Sequence, residues 1–348
     1  MATDPERKEL ADRMRMQTLA TCNNYYYTGQ HRKALNVLNK MLPMFPGDQM
    51  VETLMSSICR SAFESGQVAD FSLLNFSPND NGLSDIFGKN WLGEDLNGKS
   101  ITVFCDQGMG DTINLMRYLN VMREKWDCKI CLNCYAYYEE MVSLMDYIDQ
   151  AFTNSHAKND YHTNIMSIPA LLNGLEYDCY YPAHFRDLLE TDIPNEPYIS
   201  VKGHGKVGFE RLGLAWKSNP KNPLSEKKSI DLELFAQFAN DLNIYNLLPY
   251  DGDFLFGAPM KNLLETAQNI EDMDLVISVD TVVLHLAGAM GKPVWGLLPY
   301  SADPRWGEEE TTPWYPTMKL YRQKESDNWE EVLERVAEDL VEWQNQRC

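Results

Sequence analysis

Leu275-Val-Ile-Ser-Val-Asp-Thr-Val-Val-Leu-His-Leu-Ala-Gly-Ala-Met-Gly-Lys-Pro-Val-Trp-Gly-Leu-Leu298 is the stretch that decides the fold. Leu275–Val279 is a short apolar run that ends at Asp280-Thr281, a pair suited to capping a helix. Val282–Met290 then reads as a buried helix, Gly291 stops it, and Lys292-Pro293 turns the chain. Val294–Leu298 is apolar again and reads as a second strand. Strands that are apolar on both faces, joined by a helix, indicate a mostly parallel sheet covered on both sides.

The same rhythm extends outward from this unit. Upstream of it lie a strand at Arg211–Trp216, a helix at about Leu232–Asp241, a strand at Ile244–Leu248 and a helix at about Asn262–Ile270. Downstream, Trp329–Glu342 reads as a helix with Val332, Leu333, Val336 and Leu340 on one stripe. A first series begins with a strand at Ser100–Cys105 and continues with a helix at Thr112–Trp126, a strand at Lys129–Tyr135 and a helix at Glu139–Tyr147. Ile165–Leu172 reads as a further strand and turn, and Pro and Gly cluster near Pro197–Lys206. The expected division is a helical unit at 1–67, a connection at 68–98, and two α/β domains at 99–205 and 206–348.

The helical unit has its own pattern. Tyr25, Gly29, Ala34, Leu38, Met41 and Pro46 have the spacing of one tetratricopeptide (TPR) helix pair, and residues 50–65 could open a second repeat. One and a half repeats cannot bury their own apolar faces. Residues 1–67 are therefore expected to pack on the rest of the chain, on a protein partner or on a second copy, a dimer included.

Composition narrows the function. The 31 Lys+Arg against 51 Asp+Glu give a net charge of −20, which argues against general nucleic-acid binding. No apolar run approaches the ~20 residues of a membrane span, and the charged N-terminus lacks an apolar signal region. A cytoplasmic location with reduced thiols is the expectation, since eight cysteines are sparse for a disulfide scaffold in a chain of 348 residues. Cys128-x-x-Cys131-x-x-Cys134 has the look of a metal site. It lies on an expected strand, however, so its side chains alternate faces, and no nearby His or fourth Cys completes a ligand set. No metal is expected.

Two polar turns follow strands and open helices, where ligands bind in parallel sheets. One is Gln107-Gly108-Met109-Gly110-Asp111; the other is Asp280-Thr281, with His285 one turn into its helix. Helix N-termini offer unpaired N–H groups and partial positive charge to a phosphate. The plainer readings are an N-cap for Asp280, a helix-start acid for Asp111 and a satisfied core residue for His285. Lys217–Ser229 is the most basic stretch and reads either as a solvated loop or as a lid whose Lys217, Lys227 or Lys228 meets a diphosphate.

These residues resemble a known family. Trp91–Lys99, Gln107–Ile113, Arg117-Tyr118, Met166–Pro169 and Pro197–Ile199 are similar to the start of the glycosyltransferase region in bacterial TPR-containing glycosyltransferase-like proteins, a group related to the heptosyltransferase type. Gly213–Trp216, Lys228–Leu232, Asp274–Thr281, His285–Ala289, Gly291–Trp295, Arg305-Trp306 and Pro313–Pro316 follow in the same order. The resemblance covers roughly 88–325 and implies a GT-B fold, two Rossmann-like domains facing a cleft. It implies an inverting, metal-independent transfer from a nucleotide-sugar donor to a hydroxyl acceptor, with no other cofactor. It maps the catalytic base onto Asp111 and places Gln107, Gly108 and Gly110 in the acceptor loop. The donor diphosphate falls to Asp280, Thr281 and His285, with Lys228 as the best-matched lysine and Lys217 and Lys227 as competitors. The sequence departs from the family at Val282-Val283-Leu284, where many relatives carry a small residue. A catalytically silent scaffold that binds proteins through its N-terminus is the main alternative. A nucleotide-sugar epimerase and a nicotinamide dehydrogenase fit less well, the latter because the third Gly of the dinucleotide fingerprint is missing.

Overall fold

The computed structural model describes residues 4–28, 30–41, 54, 88–105, 108–153, 158–174, 188, 191–205, 211–220, 225–238, 242–250, 255–257 and 260–346. Two compact units form. One comprises Met1–Gln107, Met122–Glu139 and Tyr147–Ala183, the other Gly108–Val121, Glu140–Asp146 and His184–Cys348.

The first unit begins with helices Asp4–Tyr27 and His31–Met41, which pack together. Leu19, Cys22, Ala34, Leu38 and Met41 are buried, and the Cys22 thiol donates to Ala34 O at 3.0 Å. The expected turn between them is present at Gln30, whose N–H donates to Tyr25 O. Pro46 and the start of a second repeat lie outside the described residues.

The sheet of this unit is wholly parallel, in the order β1 (Lys89–Asn90), β5 (Tyr161–Asn164), β2 (Ser100–Phe104), β3 (Lys129–Asn133), β4 (Gln150–Phe152). Thr102 sits opposite Cys131 on one side and His162 on the other. Three sequence expectations change here. Lys89–Asn90, expected in the connection, form an edge strand, and Trp91 beyond them is buried edge-on against Trp126 at 5.8 Å. The strand expected at Ile165–Leu172 lies four residues earlier, at Tyr161–Asn164. Ile168–Asn173 is instead a helix with Pro169 in its first turn, where the missing N–H costs nothing. The expected helix over 112–126 starts earlier, at Met109, and divides at Met116 into Met109–Leu115 and Arg117–Lys125.

The second unit also holds a five-stranded parallel sheet, in the order β10 (Met318–Arg322), β9 (Val294–Leu298), β8 (Leu275–Val279), β6 (Arg211–Ala215), β7 (Asn243–Asn246). β8 and β9 are buried along their whole length, as their unbroken apolar character requires. Chain order runs outward from β6 in both directions, so the order reverses between β6 and β8. That reversal point is where open α/β sheets bind ligands, beyond the carboxyl ends of the strands. Asn262 caps helix Leu263–Glu271 by accepting from Glu265 N at 2.8 Å. Helix Trp329–Asn345 buries the expected stripe of Val332, Leu333, Val336 and Leu340. Leu232–Phe238 is a 3-10 helix where an α-helix was expected.

Helix Met109–Leu115, read from sequence as part of the first α/β domain, packs against Val282–Ala289 and groups with the second unit. Arg117 anchors it. The fully buried guanidinium donates to Asn114 O, Pro194 O and Trp314 O, each at 2.7 Å, and lies over the rings of Tyr315, Tyr198 and Trp314. A cation packed on three ring faces and spending its donors on carbonyls is stable when dry.

Candidate active site

Several of the residues expected to carry chemistry gather at the reversal point of the second sheet. β8 delivers Asp280 and Thr281 at its carboxyl end, and the Thr281 hydroxyl caps the following helix by accepting from Val283 N at 3.3 Å. The segment after β6 brings Lys228, at the end of the short helix Ser225–Lys228, onto Asp280. Its ammonium lies 2.5 Å from Oδ2, with both side chains mostly buried. Lys217 is exposed and lies over the Tyr250 ring at 5.6 Å, and Lys227 is exposed. Of the three competing lysines, Lys228 is the one brought to the turn.

His285, one turn into helix Val282–Ala289, is 3 % exposed. Its ring stacks on Trp306 with centroids 5.1 Å apart and meets Tyr315 edge-on. Nδ1 lies 3.0 Å from the Tyr315 hydroxyl, and Nε2 lies 3.9 Å from Asp280 Oδ1. Burial holds the imidazole well below its ordinary pKa of 6.5, and the nearby Arg305, Arg117 and Lys228 charges push the same way. His285 is therefore neutral at pH 7.

Asp111 lies in the first turn of helix Met109–Leu115. Arg305, on the 3-10 turn Pro304–Trp306, reaches it with Nη2 2.5 Å from Oδ1. The same guanidinium pairs with Asp303, Nε to Oδ1 at 3.1 Å, and is only 6 % exposed. Burial opposes ionisation of Arg305, but the Asp111 charge and the Asp303 hydrogen bond overcome it and raise its pKa. Burial likewise pushes Asp303 up, and the hydrogen bond and charge of Arg305 reverse this to a net lowering. The ring of His285 and the turn that carries Asp111 touch directly: a Cβ added at Gly110 would lie 2.7 Å from His285 Cδ2. Gly108 borders Asp111, and Gln107 lies outside the described residues.

Arg305 and Tyr315 are site residues that sequence reading gave no role. Both fall in the loop-rich stretch 299–317, where no periodicity marks a buried position. The signal available was the pairing of an Arg with aromatic residues in that loop.

The Cys128, Cys131 and Cys134 thiols are buried, and burial raises the pKa of each, Cys134 to about 12. Among the described residues no group of three His, Cys, Asp or Glu side chains could hold a metal ion, and no described helix is long and apolar enough to cross a membrane.

The protein FlbA of Caulobacter vibrioides is 25 % identical over 290 residues, which are 73 % of this chain and 48 % of FlbA; the chain thus spans about half the length of this curated relative. Solved structures with similar coordinates include the iron-containing dodecameric glycosyltransferase TibC from enterotoxigenic E. coli, with a TM-score of 0.47 at 15 % identity, covering 69 % of this chain and 67 % of TibC. A glycosyl transferase family 9 protein of Veillonella parvula gives a TM-score of 0.46 at 15 % identity, covering 67 % and 88 %. The E. coli ADP-heptose lps heptosyltransferase II gives 0.45 at 13 % identity, covering 70 % and 99 %. Residues 254–338, the segment that carries Asp280, Thr281, His285, Arg305 and Tyr315, match the model of glycosyltransferase family 9 (heptosyltransferase).

Proposed function

We propose that this protein is a glycosyltransferase of GT-B type that takes a nucleoside-diphosphate sugar as donor and transfers the sugar, with inversion and without a metal, to a hydroxyl acceptor. The observation that carries the reading is the convergence of Lys228, Asp280, the N-terminus of helix Val282–Ala289 and neutral His285 at the reversal point of a parallel sheet. The match of residues 254–338 to a glycosyltransferase family supports it.

In this reading the acceptor O–H proton passes to the Asp111 carboxylate as the acceptor oxygen attacks the anomeric carbon. The bond from that carbon to the diphosphate oxygen breaks, and the nucleoside diphosphate leaves with the electron pair. The negative charge that develops there needs donors already in place. Lys228 supplies a cation, His285 a neutral N–H, and the helix N-terminus its N–H groups and partial positive charge. Lys228 is held by Asp280, so the diphosphate takes a share of an ammonium that is already oriented. The helix pair Asp4–Tyr27 and His31–Met41 is proposed to be a TPR-like unit through which the chain meets a protein partner or a second copy.

The test is thermal stabilisation by UDP, GDP, ADP, CDP and dTDP in buffer containing a chelator. A diphosphate at about 100 times its dissociation constant stabilises the folded state by about 2.7 kcal/mol, a shift that is easily read. One of them is expected to stabilise the wild type and to lose most of that effect with His285→Ala. Asp111→Asn is expected to keep the binding and to lose sugar transfer by at least a hundredfold, in line with removal of a general base. No response to any diphosphate would overturn the proposal.

A further inference from the structure

Tyr315 is 1 % exposed, and among the described residues its hydroxyl meets Asn114 and His285. Asn114 Nδ2 donates to it at 2.9 Å. His285 Nδ1 lies 3.0 Å away on the other side. A tyrosine oxygen can accept twice but donates once. With Asn114 Nδ2 as the donor, the O–H proton of Tyr315 is left for His285, and Nδ1 is its acceptor. If Nδ1 carried the proton instead, the Tyr315 oxygen would accept from both sides. Its own buried O–H would then have no acceptor among the described residues, a costly arrangement in a dry site.

From this count of donors and acceptors we propose that Asn114 and Tyr315 are positioning residues that fix His285 in the tautomer with its proton on Nε2. The N–H then points toward Asp280 and the Gly108–Asp111 turn, where it can donate to an anionic oxygen. The other tautomer would present a lone pair to the same anion and repel it. The ring cannot rotate to compensate. Trp306 covers one face, Tyr315 meets the edge, and the Gly110 backbone lies against Cδ2 and Nε2. The charged groups around it are Lys228, Arg305 and Arg117, with Asp280 as the facing carboxylate, and the three cations oppose a second proton on the ring. The arrangement deepens the proposed function, since it states how the neutral histidine of that site becomes a hydrogen-bond donor, and it rests on that reading for its purpose. The geometry of the relay does not depend on any ligand.

The experiment is long-range 1H–15N correlation of the full chain labelled at histidine, with the His285 signals assigned by their absence in His285→Gln. The wild type is expected to show Nδ1 unprotonated and Nε2 protonated at about pH 7–8 without ligand. Tyr315→Phe keeps the ring and removes the O–H, and should collapse this pattern to averaged shifts of two tautomers. Asn114→Asp turns the donor into an acceptor, draws the Tyr315 proton to residue 114 and should move the proton of His285 to Nδ1. If that buried carboxylate prevents folding, Tyr315→Phe still decides the matter. A wild-type ring protonated on Nδ1 or on both nitrogens would overturn the proposal, and so would a tautomer unchanged in Tyr315→Phe. Addition of the diphosphate identified by thermal stabilisation should shift Nε2, and Tyr315→Phe should bind it about tenfold more weakly. A correct tautomer with no diphosphate binding would leave the relay standing and remove the transferase reading. Binding with the wrong tautomer would do the reverse.

Discussion

Arg305 lies between two carboxylates that no other described cation pairs with in the same way. Arg305→Met would leave Asp111 and Asp303 close together with the charge between them gone. The two carboxylates are about a quarter to a third exposed and regain some hydration, so a loss of about 1–2 kcal/mol is expected in urea unfolding of the variant. A loss under about 1 kcal/mol would show that Asp111 and Asp303 do not depend on it. His285 gives a second residue-scale prediction, through pH. Its pKa in the folded chain lies below the ordinary 6.5. Between the two values the unfolded chain binds a proton that the folded chain does not. Stability therefore falls as pH drops below about 6.5, by up to about 1.4 kcal/mol per pH unit from this group. The lowered carboxylates, Asp303, Asp339 and Glu331, lose their contribution only at lower pH, as they approach the usual carboxylate range. His285→Gln should flatten the slope between pH 7 and 5, and an unchanged slope in unfolding midpoints would place the titration elsewhere. Asp280 and His285 could be read from sequence because they stand where a strand becomes a helix. Arg305 stood in the sequence as a match beside Trp306 but without a role, because Asp111, the partner that would give it one, is 194 positions away.

Helix Val282–Ala289 carries His285 and Gly288 three residues apart, hence on one face. Gly288 is where Tyr315 rests. A Cβ there would lie 2.5 Å from the Tyr315 ring. Gly288→Ala should displace that ring, cost about 1–3 kcal/mol through overpacking and separate Tyr315 from His285 Nδ1. Unfolding in urea together with the histidine spectrum would show both effects, and a stable variant with the native tautomer would contradict this packing. At this scale the legible elements were those whose pattern is unmixed. β8 and β9 have their read boundaries, because strands dry on both faces are apolar throughout. β5 was missed because Tyr161-His-Thr-Asn164 is polar. Its buried His162 is satisfied at Nδ1, 2.8 Å from Gly88 O, and that partner is 74 positions away. The division at Met116 has no Pro or Gly to announce it; Arg117, held by carbonyls of Pro194 and Trp314, is what fixes the chain there.

A mostly parallel α/β arrangement was foreseen as a class from the alternation of apolar strands and helices, and two five-stranded parallel sheets are present. The assignment of Gly108–Val121 to the second unit was not foreseen, because it depends on side chains distant in sequence, Arg305, Trp314 and Tyr315. At the level of the molecule, the account turns on a single location for the diphosphate of the proposed donor, the reversal point between β6 and β8. The measurement that tests this most directly is a crystal structure of the protein with the stabilising nucleoside diphosphate bound. The account predicts phosphate oxygens within hydrogen-bond distance of Lys228 Nζ and His285 Nε2, at the first turn of helix Val282–Ala289. A diphosphate bound elsewhere on the chain, with Lys228 still held by Asp280 alone, would contradict it.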